Sequence, residues 1–107
     1  MLDSFKLIII NPHTNFHFIM FYVYMLKSKT YDELYIGSTN DLKRRILEHN
    51  SGKVQSTHIK KPYKLIYYEA YGAESDARRR EKMLKLRGQA RNQLLLRLKN
   101  TLAQNEG

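Results

Sequence analysis

Four side chains in this sequence could do chemistry together: Tyr35, Arg45, His49 and, further on, Glu81. The first three fall within Leu34–His49, where a short strand, a glycine and a helix would bring a phenol, a guanidinium and an imidazole into one small volume. A planar guanidinium fork suits two phosphate oxygens. A phenol near pKa ~10 takes up a proton only with nearby positive charge or metal-bound water to help it. His49 reads either as a member of this cluster or as a helix-end residue offsetting the C-terminal dipole. One carboxylate on an otherwise apolar helical face suits a hard cation such as Mg²⁺, which is commonly held by one or two carboxylates and completed by water. By periodicity alone, Glu81 reads more simply as the partner of a buried arginine.

Local patterns supply the elements that would position these groups. Phe18–Lys27 is dense in aromatic and β-favouring residues and reads as a strand, with Tyr22 and Tyr24 on one face and Phe21, Val23 and Met25 on the other. A polar loop of hairpin length leads to a second strand, Leu34–Gly37, antiparallel to the first. Gly37 is expected to end it, at a turn or a close approach. Thr39, Asn40 or Asp41 caps the next helix, where Leu42, Arg45, Ile46 and His49 share a face, with Arg45 and His49 at its margin. Asn50-Ser51-Gly52 ends that helix.

Lys53–Lys61 lacks periodicity and reads as a basic surface loop. Tyr63–Ala70 alternates as a third strand, with Leu65, Tyr67 and Glu69 opposite Ile66, Tyr68 and Ala70. A helix over Glu74–Arg87 places Ala77, Glu81 and Leu84 on one face. After Gly88, a last helix over Gln89–Thr101 buries Leu94, Leu95, Leu98 and Leu102. The order β-β-α-β-α-α predicts an α+β domain, a small three-stranded, mainly antiparallel sheet flanked by helices.

The chain has 107 residues, with 19 Lys and Arg against 10 Asp and Glu, a net +9. A charge of that size on one small domain points to polyanions as partners. Arg44, Lys53, Lys60, Lys61, Arg78 and Arg79 are candidate contacts to a nucleic-acid backbone, which give affinity and salt dependence without reading sequence. There are no cysteines, which excludes disulfides, thiolate metal sites and a cysteine nucleophile, and fits a cytoplasmic protein. Residues 1–19 carry one acidic and one basic side chain, so the whole net charge lies in 20–107. The short apolar run Leu7–Ile10 is stopped by Asn11-Pro12 and has no signal-peptide cleavage pattern. Residues 1–19 therefore read as an extension, 20–102 as the domain and 103–107 as a frayed tail. No segment is apolar enough to span a bilayer, and none pairs a basic face with a broad lipid-seeking one.

These residues resemble the GIY-YIG nuclease family. Its second motif is intact as Tyr35-Ile36-Gly37 and its first appears as Tyr22-Val23-Tyr24 in the preceding strand. Arg45 stands ten positions after Tyr35, as the family arginine does. Pro62–Glu69 is similar to the family's third strand and Ala77–Lys85 to its glutamate-bearing helix. The resemblance runs from Met20 to Leu98 and is nearest to small stand-alone proteins akin to the N-terminal nuclease domain of the UvrC repair endonuclease subunit.

It implies a metal-dependent endonuclease that hydrolyses DNA phosphodiesters by activated-water attack, with branched or damaged DNA among its substrates. Tyr24 and Tyr35 would be the paired tyrosines, one of them helping to deprotonate water. Arg45 would hold the scissile phosphate, and Glu81 a single Mg²⁺ or Mn²⁺. His49 matches a position where several members carry a histidine near the phosphate. The first motif lacks its leading glycine, with Tyr22 in that place. Ser38 stands where the UvrC branch carries lysine, which leaves His49 as the best substitute for the missing charge. A second reading is a nucleic-acid-binding module on the same fold without catalysis.

Overall fold

The computed structural model describes residues 19–104. Almost all of the extension assigned to 1–19, the start of the strand expected from Phe18, and 105–107 of the tail lie outside the described residues. The elements are β1 (Phe21–Ser28), β2 (Leu34–Thr39), α1 (Leu42–Asn50), β3 (Tyr63–Tyr71), α2 (Glu74–Lys85), α3 (Gln89–Arg97) and a single turn α4 (Lys99–Leu102). The fold is α+β, as the sequence predicts.

β1 is the central strand of an antiparallel sheet ordered β2-β1-β3. Its alternation is decisive, because it is covered on both faces. Val23 and Met25 pack with Ile36 against Ala77 and Leu84 of α2 and Leu94 and Leu98 at the end of α3. Tyr24 and Leu26 point the other way, onto Tyr63, Tyr35, Leu65 and the Leu42–Ile46 face of α1.

Three local expectations are corrected. Gly37 does not end β2; it lies within the strand, directly opposite Tyr24 of β1. A Cβ there would stand 2.4 Å from the Tyr24 hydroxyl oxygen, so the glycine serves close approach and not a turn. β3 does not keep strict alternation. Met25 faces Tyr67 while Leu26 faces Leu65, so Ile66 is an extra residue in a bulge. Leu65 therefore joins the α1 side, and Ile66 joins Tyr67 and Tyr71 on the α2 side. The last helix breaks at Leu98, whose backbone leaves the helical region, and continues only as α4.

α1 starts at Asp41, whose Oδ1 accepts a hydrogen bond from the Arg44 backbone N–H at 3.1 Å. It stops at Ser51 with Gly52 in the left-handed region at φ 83°. Asn50 then clamps it to β3: its amide donates to the Tyr63 carbonyl at 3.0 Å and accepts from the Tyr63 N–H at 2.7 Å. That clamp sets the depth at which the preceding residue, His49, enters the domain.

Candidate active site

The tyrosines and the histidine meet on the α1 face of the sheet. Tyr24 and His49 are 1% and 0% exposed, and the Tyr24 hydroxyl lies 2.9 Å from His49 Nε2. Tyr35 packs edge-on against the imidazole with ring centroids 4.8 Å apart, and Tyr24 and Tyr35 are 6.2 Å apart. His49 is thus not at the margin of its helical face but fully enclosed. Periodicity marks a helical face without showing what covers it. Burial, reinforced by the Arg45 charge, pushes the His49 imidazole down to about 4, so it is neutral near pH 7. A neutral ring cannot offset the helix dipole, which removes that reading.

Burial pushes the Tyr24 phenol up to about 12, against the pull of a contact from Arg45. Arg45 is half-buried; its contact with Tyr24 and its pairing with Glu48, Nη1 to Oε1 at 3.1 Å, hold its guanidinium above its ordinary range. Arg44 is exposed and reaches Asn40 Oδ1 at 3.3 Å.

Glu81 approaches from the other face. Ser38 alternates with Gly37 and so turns toward α2, where its hydroxyl donates to Glu81 Oε1 at 2.6 Å. Lys85, one turn further along α2, donates to Oε2 at 2.7 Å. Burial alone would raise this carboxyl, but the bonds from Lys85 and Ser38, with the charges of Lys85 and Arg78, hold it below the usual carboxylate range. Glu81 is therefore ionised at neutral pH. Its partners are a lysine and a serine, not the buried arginine that periodicity suggests. Through Ser38, Glu81 is tied to the end of edge strand β2.

A cleft of about 260 Å³ opens around the end of β2, lined by Ser38, Thr39, Asn40, Arg44, Arg45, Glu48, Glu74 and Arg78, with Phe21 and Ala77 beneath. Its arginines outnumber its carboxylates: Arg45 pairs with Glu48 at 3.1 Å and Arg78 with Glu74 at 3.4 Å, and Arg44 adds a positive charge to the lining. The run Arg78-Arg79-Arg80 divides by helical position. Arg78 lines the cleft, Arg79 projects to solvent with Asp76 at 3.3 Å, and Arg80 folds back onto Glu69 of β3. Lys53 borders a neighbouring groove with Lys43, Arg44 and Leu47. Lys60 pairs with Glu33 and Lys61 reaches the His58 carbonyl at 3.4 Å, so these two stand apart from the cleft lining.

Among the described residues, no three His, Cys, Asp or Glu side chains are grouped to hold a metal ion together. The donor set at Glu81 still fits a hard divalent ion: an ionised carboxylate beside a hydroxyl, with Lys85, 53% exposed, as the solvent-facing partner of its second oxygen. Two site residues were missed in the sequence. Lys85 was readable as the i+4 neighbour of Glu81. Thr57, in the loop taken for surface, is 1% exposed with its hydroxyl 2.7 Å from His49 Nδ1, and nothing local marks it.

The model of the GIY-YIG catalytic domain matches residues 20–94. The chain belongs to the GIY-YIG family. Among its relatives is a UPF0213 protein of Staphylococcus saprophyticus, 37% identical over 65 residues that make up 60% of this chain and 78% of the relative. A UPF0213 protein of Clostridium perfringens is 42% identical over 67 residues, 62% of this chain and 71% of that one. The solution structure of the UPF0213 protein BH0048 from Bacillus halodurans is 33% identical and covers 76% of this chain and 86% of that chain at a TM-score of 0.46. The GIY-YIG match spans Tyr24, Tyr35 and His49, which pack together on the α1 face, Arg45, which lines the cleft, and Glu81, which bonds Ser38 of the cleft lining. Among the described residues no helix is long and apolar enough to cross a membrane.

Proposed function

We propose that this GIY-YIG protein is a metal-dependent DNA endonuclease that cleaves a phosphodiester by attack of an activated water. One observation carries the reading. An ionised carboxylate, Glu81, accepts from Ser38 in the lining of a cleft that the Arg45 guanidinium also lines, and Tyr24 and His49 pair beneath α1.

On this reading Glu81 holds one Mg²⁺ or Mn²⁺, oriented by Ser38, once Lys85 yields Oε2. When bound, that ion would supply positive charge to the phosphate and the leaving oxygen. Arg45, held by Glu48, presents its remaining N–H groups to the non-bridging oxygens. Arg44 and Arg78 flank the strand and hold it by charge.

Tyr24 cannot serve by ionising, since its phenol lies near 12. It can relay: the phenol oxygen takes a proton from water while its own proton passes to His49 Nε2, leaving the tyrosine neutral. An imidazole near 4 is a weak acceptor in the free protein, and a bound phosphate anion would raise it. Tyr35 walls the imidazole and limits access of bulk water to it.

The test is nicking of supercoiled plasmid and of branched DNA in Mg²⁺. Cleavage by the native protein, abolished by Glu81→Ala and by Arg45→Ala in folded variants, supports the endonuclease. Cleavage unchanged by both substitutions overturns the assigned site. Salt-dependent DNA binding without turnover would instead favour the binding module.

A further inference from the structure

A chain of hydrogen bonds runs from Tyr24 of β1 into the loop after α1, and it has a direction. Tyr24 O lies 2.9 Å from His49 Nε2, His49 Nδ1 lies 2.7 Å from Thr57 Oγ1, and Thr57 Oγ1 lies 3.4 Å from the Val54 carbonyl oxygen. The members of this chain are sealed: His49 is 0% exposed and Thr57 and Tyr24 1% each. An unmade hydrogen bond here would leave a buried polar group unsatisfied, at a cost of about 1–3 kcal/mol.

Only one polarity gives every hydrogen an acceptor. The phenol hydrogen fixes the near end: the sealed Tyr24 hydroxyl has His49 Nε2 as its acceptor, so His49 carries its hydrogen on Nδ1 and donates to Thr57 Oγ1, whose own hydroxyl turns to the Val54 carbonyl, which the Thr57 N–H also bonds. Nε2 is then bare and accepts from the Tyr24 hydroxyl. In the reversed chain, with Thr57 donating to Nδ1 and Nε2–H donating to the phenol oxygen, the buried hydrogen of the Tyr24 hydroxyl would have no acceptor among the described residues.

We propose that Thr57 is a positioning residue that holds His49 in the Nδ1–H tautomer, with Nε2 turned to Tyr24 as a proton acceptor. The loop supports the role. Thr57 is anchored at both ends of its turn, its N–H donating to the Val54 carbonyl at 3.1 Å and its carbonyl accepting from the Lys60 N–H at 3.1 Å. Val54 is also buried, so the loop is a lid on the imidazole as much as a surface segment. Mechanistically, the inference rests on the endonuclease reading, because a relay from water through Tyr24 ends at Nε2 only if Nε2 carries no hydrogen.

The tautomer can be read without activity. In ¹⁵N-labelled full-length protein, long-range ¹H–¹⁵N correlation is expected to show a protonated Nδ1 and a bare Nε2 for His49 at neutral pH. Thr57→Val should shift His49 toward the Nε2–H form and lower nicking at least tenfold in kcat with KM little changed, and Thr57→Ser should restore both. An Nε2–H tautomer in the native protein overturns the proposal, as does a tautomer that Thr57→Val leaves unchanged. If Thr57→Val does not fold, Thr57→Ala replaces it, and the native spectrum alone still decides against the proposal if Nε2 is protonated. A native Nδ1–H tautomer that moves with Thr57 in a protein that cleaves no DNA upholds the positioning role and overturns the endonuclease reading.

Discussion

Two glutamates meet where α2 packs on the sheet, Glu69 from β3 and Glu81 from α2 itself, with nearly equal exposure and very different surroundings. Glu69 is 15% exposed and saturated by fixed donors: Arg80 Nε and Nη2 grip it at 2.9–3.1 Å, Tyr67 donates at 2.6 Å, and Tyr71 donates to the remaining oxygen. Glu81 is 18% exposed and receives one hydroxyl and one half-exposed lysine. Both are held below the usual carboxylate range despite burial. What separates them is spare valence. Glu69 has spent its lone pairs on the fold, whereas Glu81 keeps lone pairs beside a cationic cleft. A depressed pKa therefore does not by itself mark a functional carboxylate; the replaceability of its partners does.

The sharpest way to break this contrast is to neutralise each carboxylate in turn. Glu81→Gln should lower Mg²⁺-dependent nicking by ~10²-fold or more, since charge at the reaction centre is lost, while stability changes by less than about 1 kcal/mol. Glu69→Gln should do the reverse. It strands Arg80 and should cost about 2 kcal/mol or more in chemical denaturation while the folded fraction keeps its cleavage rate. Loss of nicking in Glu69→Gln at full folding would erase the distinction between the two.

The α1 face supplies a pH counterpart. His49 titrates near 4 when folded and near ~6.5 when unfolded, so between these values the unfolded chain binds more protons. Stability should rise with pH across that window and be lost as pH falls from about 6.5 toward 4, by about 3 kcal/mol in all. Denaturation midpoints measured between pH 4.5 and 7 should show this slope, and His49→Gln should flatten it. An equal slope in the variant would assign the effect to carboxylates instead.

The smallest effect belongs to Lys85, whose ammonium is half-exposed. Lys85→Met should change stability by less than about 1 kcal/mol and tighten Mg²⁺ binding a few-fold, because the ion no longer competes for Oε2. Calorimetric titration of native and variant protein compares them directly.

How much of this was legible depended on range. The sheet, the helices and the face carrying Leu42 and Ile46 follow from local periodicity, whereas Tyr24, Tyr35, Arg45 and Glu81 stand out as candidates through the resemblance to the GIY-YIG family. Thr57 did not follow, because a loop without period carries no sign of which residue turns inward; only the fixed depth of His49 selects it. The Glu69–Arg80 cluster was hidden for another reason. Glu69 was assigned to a face with Leu65, and the bulge at Ile66 separates them, so the side on which Arg80 finds a partner depends on register and not composition. Gly37 was read as a break because glycine most often is one, yet what it answers is a tyrosine ring from the neighbouring strand.

The central claim, that Glu81 and not Glu69 is the cation ligand, is tested most directly with Mn²⁺ as a paramagnetic probe of backbone amides. The account predicts selective broadening of signals from Ser38, Thr39 and the α2 residues around Glu81, little effect at Tyr67–Tyr71, and loss of the pattern in Glu81→Gln. Broadening that persists in Glu81→Gln, or that centres on Glu69, would contradict it.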